Sequence, residues 1–166
     1  MKEIYDQGVS FRTFILNQET ADRGKFMKYY IPMDIKEEIR DRVNQIDKEV
    51  HILGVVEGWC PDCHINLSIL EKLISTNPNI KLKLITKSDA ASNFEKYYEN
   101  GGLRVPTFIF LDDNFFPKAA FIEKPTMLKG YNIDTLEGAK MQMSYIAGKL
   151  VEETALELLE LLEKTA

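Results

Sequence analysis

"EGWCPDCH", residues 57–64, gathers both cysteines of the chain, its only tryptophan and one of its two histidines into eight residues. Just before and into it runs "HILGVVE", residues 51–57, a short apolar stretch rich in Val and Ile. It is too short for a helix and patterned as a strand buried on both faces. From Pro61 to about Ser75 the pattern becomes helical, with Leu67, Leu70 and Ile74 on one side and Asn77-Pro78 as the stop. The cysteines thus sit where a strand hands over to a helix. Pro61 takes the favoured first helical position, which puts Cys60 at or beside the N-cap.

That junction points to thiol chemistry. A thiolate at the N-cap can accept from the free N–H groups of Asp62 or Cys63 and lies at the positive end of the helix dipole. Both effects lower its pKa, which makes Cys60 a nucleophile at neutral pH while Cys63, deeper in the first turn, keeps its proton. Cys63 is close enough to attack a mixed disulfide formed at Cys60. A structural bridge across so small a loop would constrain little of the unfolded chain.

Outward from the junction the elements alternate. Upstream, Ile35, Ile39, Val43 and Ile46 recur at helical spacing, with Asp34 and Glu37 as an expected capping box. Downstream, "IKLKLI", residues 80–85, reads as a strand with one wet face, and Ala90, Phe94, Tyr97 and Tyr98 line one face of a helix ended by Gly101-Gly102. "TFIFL", residues 107–111, is a third strand, turned by Asp112-Asp113-Asn114 into a fourth near residues 118–122. Asp134 and Glu137 form a second expected capping box, opening a helical stretch to Lys164 with a break at Gly148. Its stripe of Leu150, Ala155, Leu158 and Leu162 reads as core packing. The first 32 residues carry aromatics at Phe11, Phe14, Phe26, Tyr29 and Tyr30 without a firm period and are read as helical turns packed on the domain. A strand-helix-strand unit must be parallel and a hairpin antiparallel. The expectation is an α/β fold with a mixed sheet of four to five strands.

"WCPDC", residues 59–63, followed by "RVPTFIF", residues 104–110, resembles the thioredoxin superfamily, whose members pair W-C-x-x-C with a cis-proline loop. The same W-C-P-D-C stands in thioredoxin-related proteins of the cytosol. The resemblance covers roughly residues 34–123 and part of the final helix, within a single domain spanning 1–166, and leaves 1–32 as an N-terminal extension. It implies a thioredoxin fold with Cys60 as nucleophile, Cys63 as resolving thiol, Trp59 as an apolar wall, and Pro106 as the cis-proline facing the cysteines. Val105 would pair its backbone with an extended substrate. One departure stands out: thioredoxins usually bury an aspartate six residues before the first cysteine, where this chain has Gly54. Glu57 is the candidate for a partial substitute.

Asp62 and His64 act on Cys60 in opposite senses. A nearby carboxylate in partly wet surroundings costs the thiolate a few tenths to about 1 kcal/mol. His64 reads as an exposed helix residue. The sequon at Asn66–Ser68 falls on this helix and is read as chance.

A net charge of −5 supplies no basic stripe for nucleic acid. No apolar run approaches the roughly 20 residues of a membrane span, so a cytoplasmic protein is expected. The leading expectation is a dithiol reductase that cycles between Cys60/Cys63 dithiol and disulfide with no other cofactor. It would act on a disulfide-containing protein or small molecule. No Gly-rich nucleotide fingerprint follows a strand, so electrons would come from a separate reductase or small thiol. Two alternatives stay open: an adaptor or redox sensor recruiting a partner through the C-terminal helix, and a metal or iron-sulfur module using the cysteine pair with His51 or His64.

Overall fold

A computed structural model describes residues 1–166, with side chains described for all but 91–93. Three short helices open the chain: α1 (Lys2–Gln7), α2 (Phe11–Leu16) and α3 (Thr20–Tyr30). They precede α4 (Glu37–Asn44), β1 (Val50–Val55), α5 (Pro61–Ile74) and β2 (Ile80–Ile85). After a 3-10 helix at Ala91–Tyr97 come β3 (Tyr98–Glu99), β4 (Gly102–Leu103), β5 (Thr107–Leu111) and β6 (Pro117–Ile122). The chain closes with α6 (Thr126–Lys129), α7 (Leu136–Ile146) and α8 (Val151–Thr165).

The main sheet has four strands in the order β2-β1-β5-β6, and β3 with β4 forms a separate ribbon. β1 runs parallel to β2 through the α5 crossover, and antiparallel to β5, which pairs antiparallel with β6. This is the mixed sheet expected from the element order. Every residue of β1 is buried, as befits a strand with neighbours on both edges and helices over it. In the β5–β6 turn, Asp112 Oδ1 accepts from the N–H groups of Asn114 and Phe116 at 2.9 Å each.

Several local expectations are corrected. α4 starts at Glu37 with Lys36 at its N-cap and no side-chain cap; Asp34 instead pairs with Arg40 at 3.0 Å. α7 is capped by Thr135, whose Oγ1 accepts from Gly138 N–H at 3.0 Å, one position on from the Asp134 of the expected box. Tyr98 leaves the helical face and becomes an exposed residue of β3, while Ala90, Phe94 and Tyr97 are buried. The C-terminal stretch, by contrast, breaks where expected: it is two helices, separated where Gly148 takes φ +75°, a conformation that favours glycine.

Leu150, Ala155, Leu158 and Leu162 are buried, and α8 packs on β6, α5 and α4, so its stripe is core. The first 32 residues do more than cover a face. Val9 exchanges both backbone hydrogen bonds with Leu84, at 2.9 and 2.8 Å, which pairs the outer edge of β2 at one point.

Candidate dithiol site

The junction forms as read. Cys60 is the N-cap of α5, in extended conformation, with exposed Pro61 in the first turn. Both cysteines are buried and reduced. The Val105–Pro106 peptide bond is cis, and it brings the Val105 carbonyl to 3.3 Å from Cys60 Sγ, whose S–H donates to it. Cys63 Sγ, wholly buried, accepts from Glu57 N–H at 3.5 Å. Trp59 stands beside them 62% exposed, an apolar wall open to solvent.

The two thiols are driven apart in acidity. The Cys63 thiol beside it holds the Cys60 pKa below the ordinary thiol range, and the N–H groups of Cys63 and Asp62 add to this against burial and the Asp62 charge. Burial pushes Cys63 well up, and the Cys60 charge adds to it. Opposed shifts on neighbouring titratable groups separate an attacking group from a protonated one.

Glu57 does not take the place of the missing aspartate. Its carboxylate accepts from Lys87 N–H at 2.9 Å, so only its backbone meets Cys63. A side chain at residue 54 would also have to displace apolar neighbours: a Cβ on Gly54 would lie 2.7 Å from Leu84 Cδ2 and 3.3 Å from the Phe108 ring. The space beside Gly54 is filled with apolar side chains.

His64 is also corrected. It is buried, its Nε2 lies 2.7 Å from Gly58 O, and the edge of its ring meets Phe26 with centroids 4.6 Å apart. Burial lowers its pKa, which keeps the imidazole neutral and the Nε2–H a donor to Gly58. The N-terminal segment therefore reaches the site: Phe26 from α3 backs His64, and Gln18 packs so close to Gly58 that a Cβ there would lie 1.9 Å from its Oε1.

Asp62 is drier than its position in the sequence implied. Its Oδ1 accepts from Tyr145 Oη at 2.9 Å, and burial raises its pKa despite that bond and the nearby Lys124. Behind Tyr145 stands Asn66, whose Nδ2 donates to Tyr145 Oη at 2.7 Å and to Glu123 O at 2.9 Å. With its amide committed inside the protein, Asn66 is closed to a glycan. Glu123, at φ +63°, in turn donates its N–H to Pro106 O at 2.7 Å. Tyr145 and Asn66 escaped the sequence reading. The available signal was a polar Asn inside a helix whose other faces are apolar; Tyr145, 82 residues beyond Cys63, carried none.

Among the described residues no group of three or more His, Cys, Asp and Glu side chains is placed to hold a metal ion. His51 stacks on Phe115 at the far end of β1, with ring centroids 4.0 Å apart.

No curated protein sequence matches this chain. A protein of unknown function from Pseudomonas aeruginosa is similar in structure, with TM-score 0.87 and 25% identity over 99% of this chain and 98% of that one. An HIV epitope-scaffold shares the fold at TM-score 0.86 and 23% identity, over the same shares of the two chains. The thioredoxin family model matches residues 8–137, which reaches beyond the 34–123 read from motifs and takes in α2 and α3. With that match over most of its length and the mixed sheet that carries the cis-proline turn to the cysteines, the chain belongs to the thioredoxin family.

Proposed function

We propose that this chain is a thiol-disulfide oxidoreductase working as a dithiol reductase, with Cys60 as nucleophile and Cys63 as resolving thiol. The observation that carries the reading is the placement of two buried thiols at the N-terminus of α5, with Cys60 at the N-cap and 3.3 Å from the Val105 carbonyl that precedes Pro106; the lowered Cys60 and raised Cys63 pKa agree with it.

The Cys60 thiolate attacks one sulfur of a substrate disulfide, forming a Cys60 mixed disulfide and expelling the other sulfur as a thiolate that takes a proton from solvent. Cys63 then loses its proton and attacks Cys60 Sγ, releasing the second substrate thiol and closing the Cys60–Cys63 disulfide. Two electrons pass to the substrate; a separate reductase or small thiol returns them. Burial, the main cause of the raised Cys63 pKa, persists, but consuming the Cys60 thiolate removes the hydrogen bond and the charge that raise it further, so the second deprotonation becomes easier once the mixed disulfide has formed. That feature supplies part of what the family's buried aspartate would otherwise do.

Trp59 and the Val105 backbone form the rim on which an extended substrate segment lies. A reducing, cytoplasmic setting suits this direction of exchange, and the redox-active disulfide is the only cofactor the cycle needs. Redox equilibration with dithiol buffers, read by alkylation of Cys60 and Cys63, tests the reading. A reversible two-electron transition is expected. Cys60→Ser abolishes disulfide reduction, and Cys63→Ser accumulates substrates as mixed disulfides. Full turnover in Cys60→Ser would falsify the mechanism.

A further inference from the structure

The chain of contacts behind Asp62 has no part in the exchange cycle, yet it is built at a cost. Asn66 is fully buried with its Oδ1 unpartnered. A buried acceptor without a donor forfeits the hydrogen bond it would make to water in the unfolded chain. Glu123 holds a left-handed backbone at φ +63°, a conformation disfavoured for a residue with a Cβ. Both serve one continuous path: Pro106 O to Glu123 N–H, Glu123 O to Asn66 Nδ2, Asn66 Nδ2 to Tyr145 Oη, and Tyr145 Oη to Asp62 Oδ1. The path starts at the turn that presents Val105 O to Cys60 and ends on the carboxylate two residues past Cys60.

We propose that Tyr145 is a positioning residue of the dithiol site. Its hydroxyl fixes the Asp62 carboxylate beside Cys60, and through Asn66 and Glu123 it ties that charge to the turn carrying Val105 and Pro106, so that α7 governs the reactivity of the Cys60 thiolate. The inference rests on the oxidoreductase reading above.

Asp62 faces Tyr145 from α7, Glu123 and Lys124 from the segment after β6, and Cys60 from its own loop. Tyr145 is 1% exposed and Asp62 half-buried, so the hydroxyl holds Oδ1 from the protein side. Burial raises the Asp62 pKa, and the hydroxyl's proton works against this by favouring the ionised form. The ionised carboxylate in turn raises the Cys60 pKa.

The test is the pH dependence of iodoacetamide alkylation at Cys60 in the reduced full-length protein, quantified by mass spectrometry, for wild type, Tyr145→Phe, Asp62→Asn and the double variant. Removing the hydroxyl leaves Asp62 protonated to higher pH. Tyr145→Phe is therefore expected to speed alkylation near neutrality by about threefold, equivalent to half a pKa unit at Cys60. Its acid-side inflection moves up in pH. Asp62→Asn gives a single ionisation and at least as large an acceleration, and the double variant matches Asp62→Asn alone. Equal acceleration by Tyr145→Phe on the Asp62→Asn background would reduce the tyrosine to a packing role, and an unchanged Tyr145→Phe profile would overturn the proposal outright.

Should Tyr145→Phe fail to fold, the 13C titration of the Asp62 carboxyl in wild type decides. An inflection above the ordinary carboxylate range with a second response when Cys60 ionises supports the coupling; a single ordinary inflection sinks it. None of these readouts needs turnover, so absence of a reversible Cys60–Cys63 disulfide would count against the oxidoreductase reading alone.

Discussion

The first turn of α5 is braced on two sides, and the braces differ in kind. On the side of the N-terminal segment, neutral His64 holds Gly58 O and is backed by the Phe26 ring, with Gln18 against Gly58. On the side of α7, Tyr145 holds an ionisable carboxylate. The first brace fixes where the loop before Cys60 runs and adds no charge. The second places a charge next to the nucleophile. Shape and electrostatics at one helix N-terminus are thus handled by opposite ends of the chain.

The most forceful way to break the comparison is to remove the support of the neutral brace. Phe26 is fully buried, and Phe26→Ala is expected to cost about 3–5 kcal/mol of unfolding free energy through transfer and cavity terms. Denaturant titration measures this. A loss confined to overall stability, with Gly58 and His64 amide exchange unchanged, would show that the ring supports the core and not the loop.

His64→Leu comes next, at about 1–3 kcal/mol, because Gly58 O loses its buried donor. This change also has a pH signature. Burial lowers the folded His64 pKa, so below about pH 6.5 the unfolded chain takes up a proton that the folded chain refuses. Stability therefore falls as pH drops through the window from the unfolded value to the lowered folded one. In His64→Leu that acid loss shrinks to the part owed to His51, which burial also holds down. An unchanged slope in stability against pH would mean that His64 ionises in the folded protein.

Asp62→Asn is the smallest change and has the opposite sign. Burial raises the folded Asp62 pKa, so the folded state binds its proton more tightly than the unfolded state does. Wild type accordingly loses stability as pH rises through that raised value, and the deficit persists at neutrality. The amide keeps an acceptor for Tyr145 while deleting the charge. A small rise in Tm at neutral pH is expected, vanishing near roughly pH 4, as followed by thermal melts across pH. A lower Tm at neutrality would show that the ionised carboxylate strengthens the Tyr145 contact by more than its burial costs.

Much of the site could be read from one stretch of chain because its causes are local. A strand must end and a helix begin around Pro61, and the helix N-terminus acts on whichever thiol stands at its cap. The same holds for the parallel β1–β2 unit and the β5–β6 hairpin, whose directions follow from the connections between them. Capping was less legible. The S/T/D-x-x-E pattern allows adjacent frames, and at α7 Thr135 satisfies the orphan N–H where Asp134 was expected.

The sequence by itself determined the alternation of elements, the pair of thiols and their different placement, since each rests on residues a turn or less apart. Tertiary structure decided the environment of those thiols: that His64 is turned inward to Gly58, that Glu57 is engaged by Lys87, that Leu84 and Phe108 fill the space beside Gly54, and that Tyr145 reaches Asp62. Burial and long-range hydrogen bonds are properties of packing, and periodicity within one segment cannot show which distant side chain will close over it.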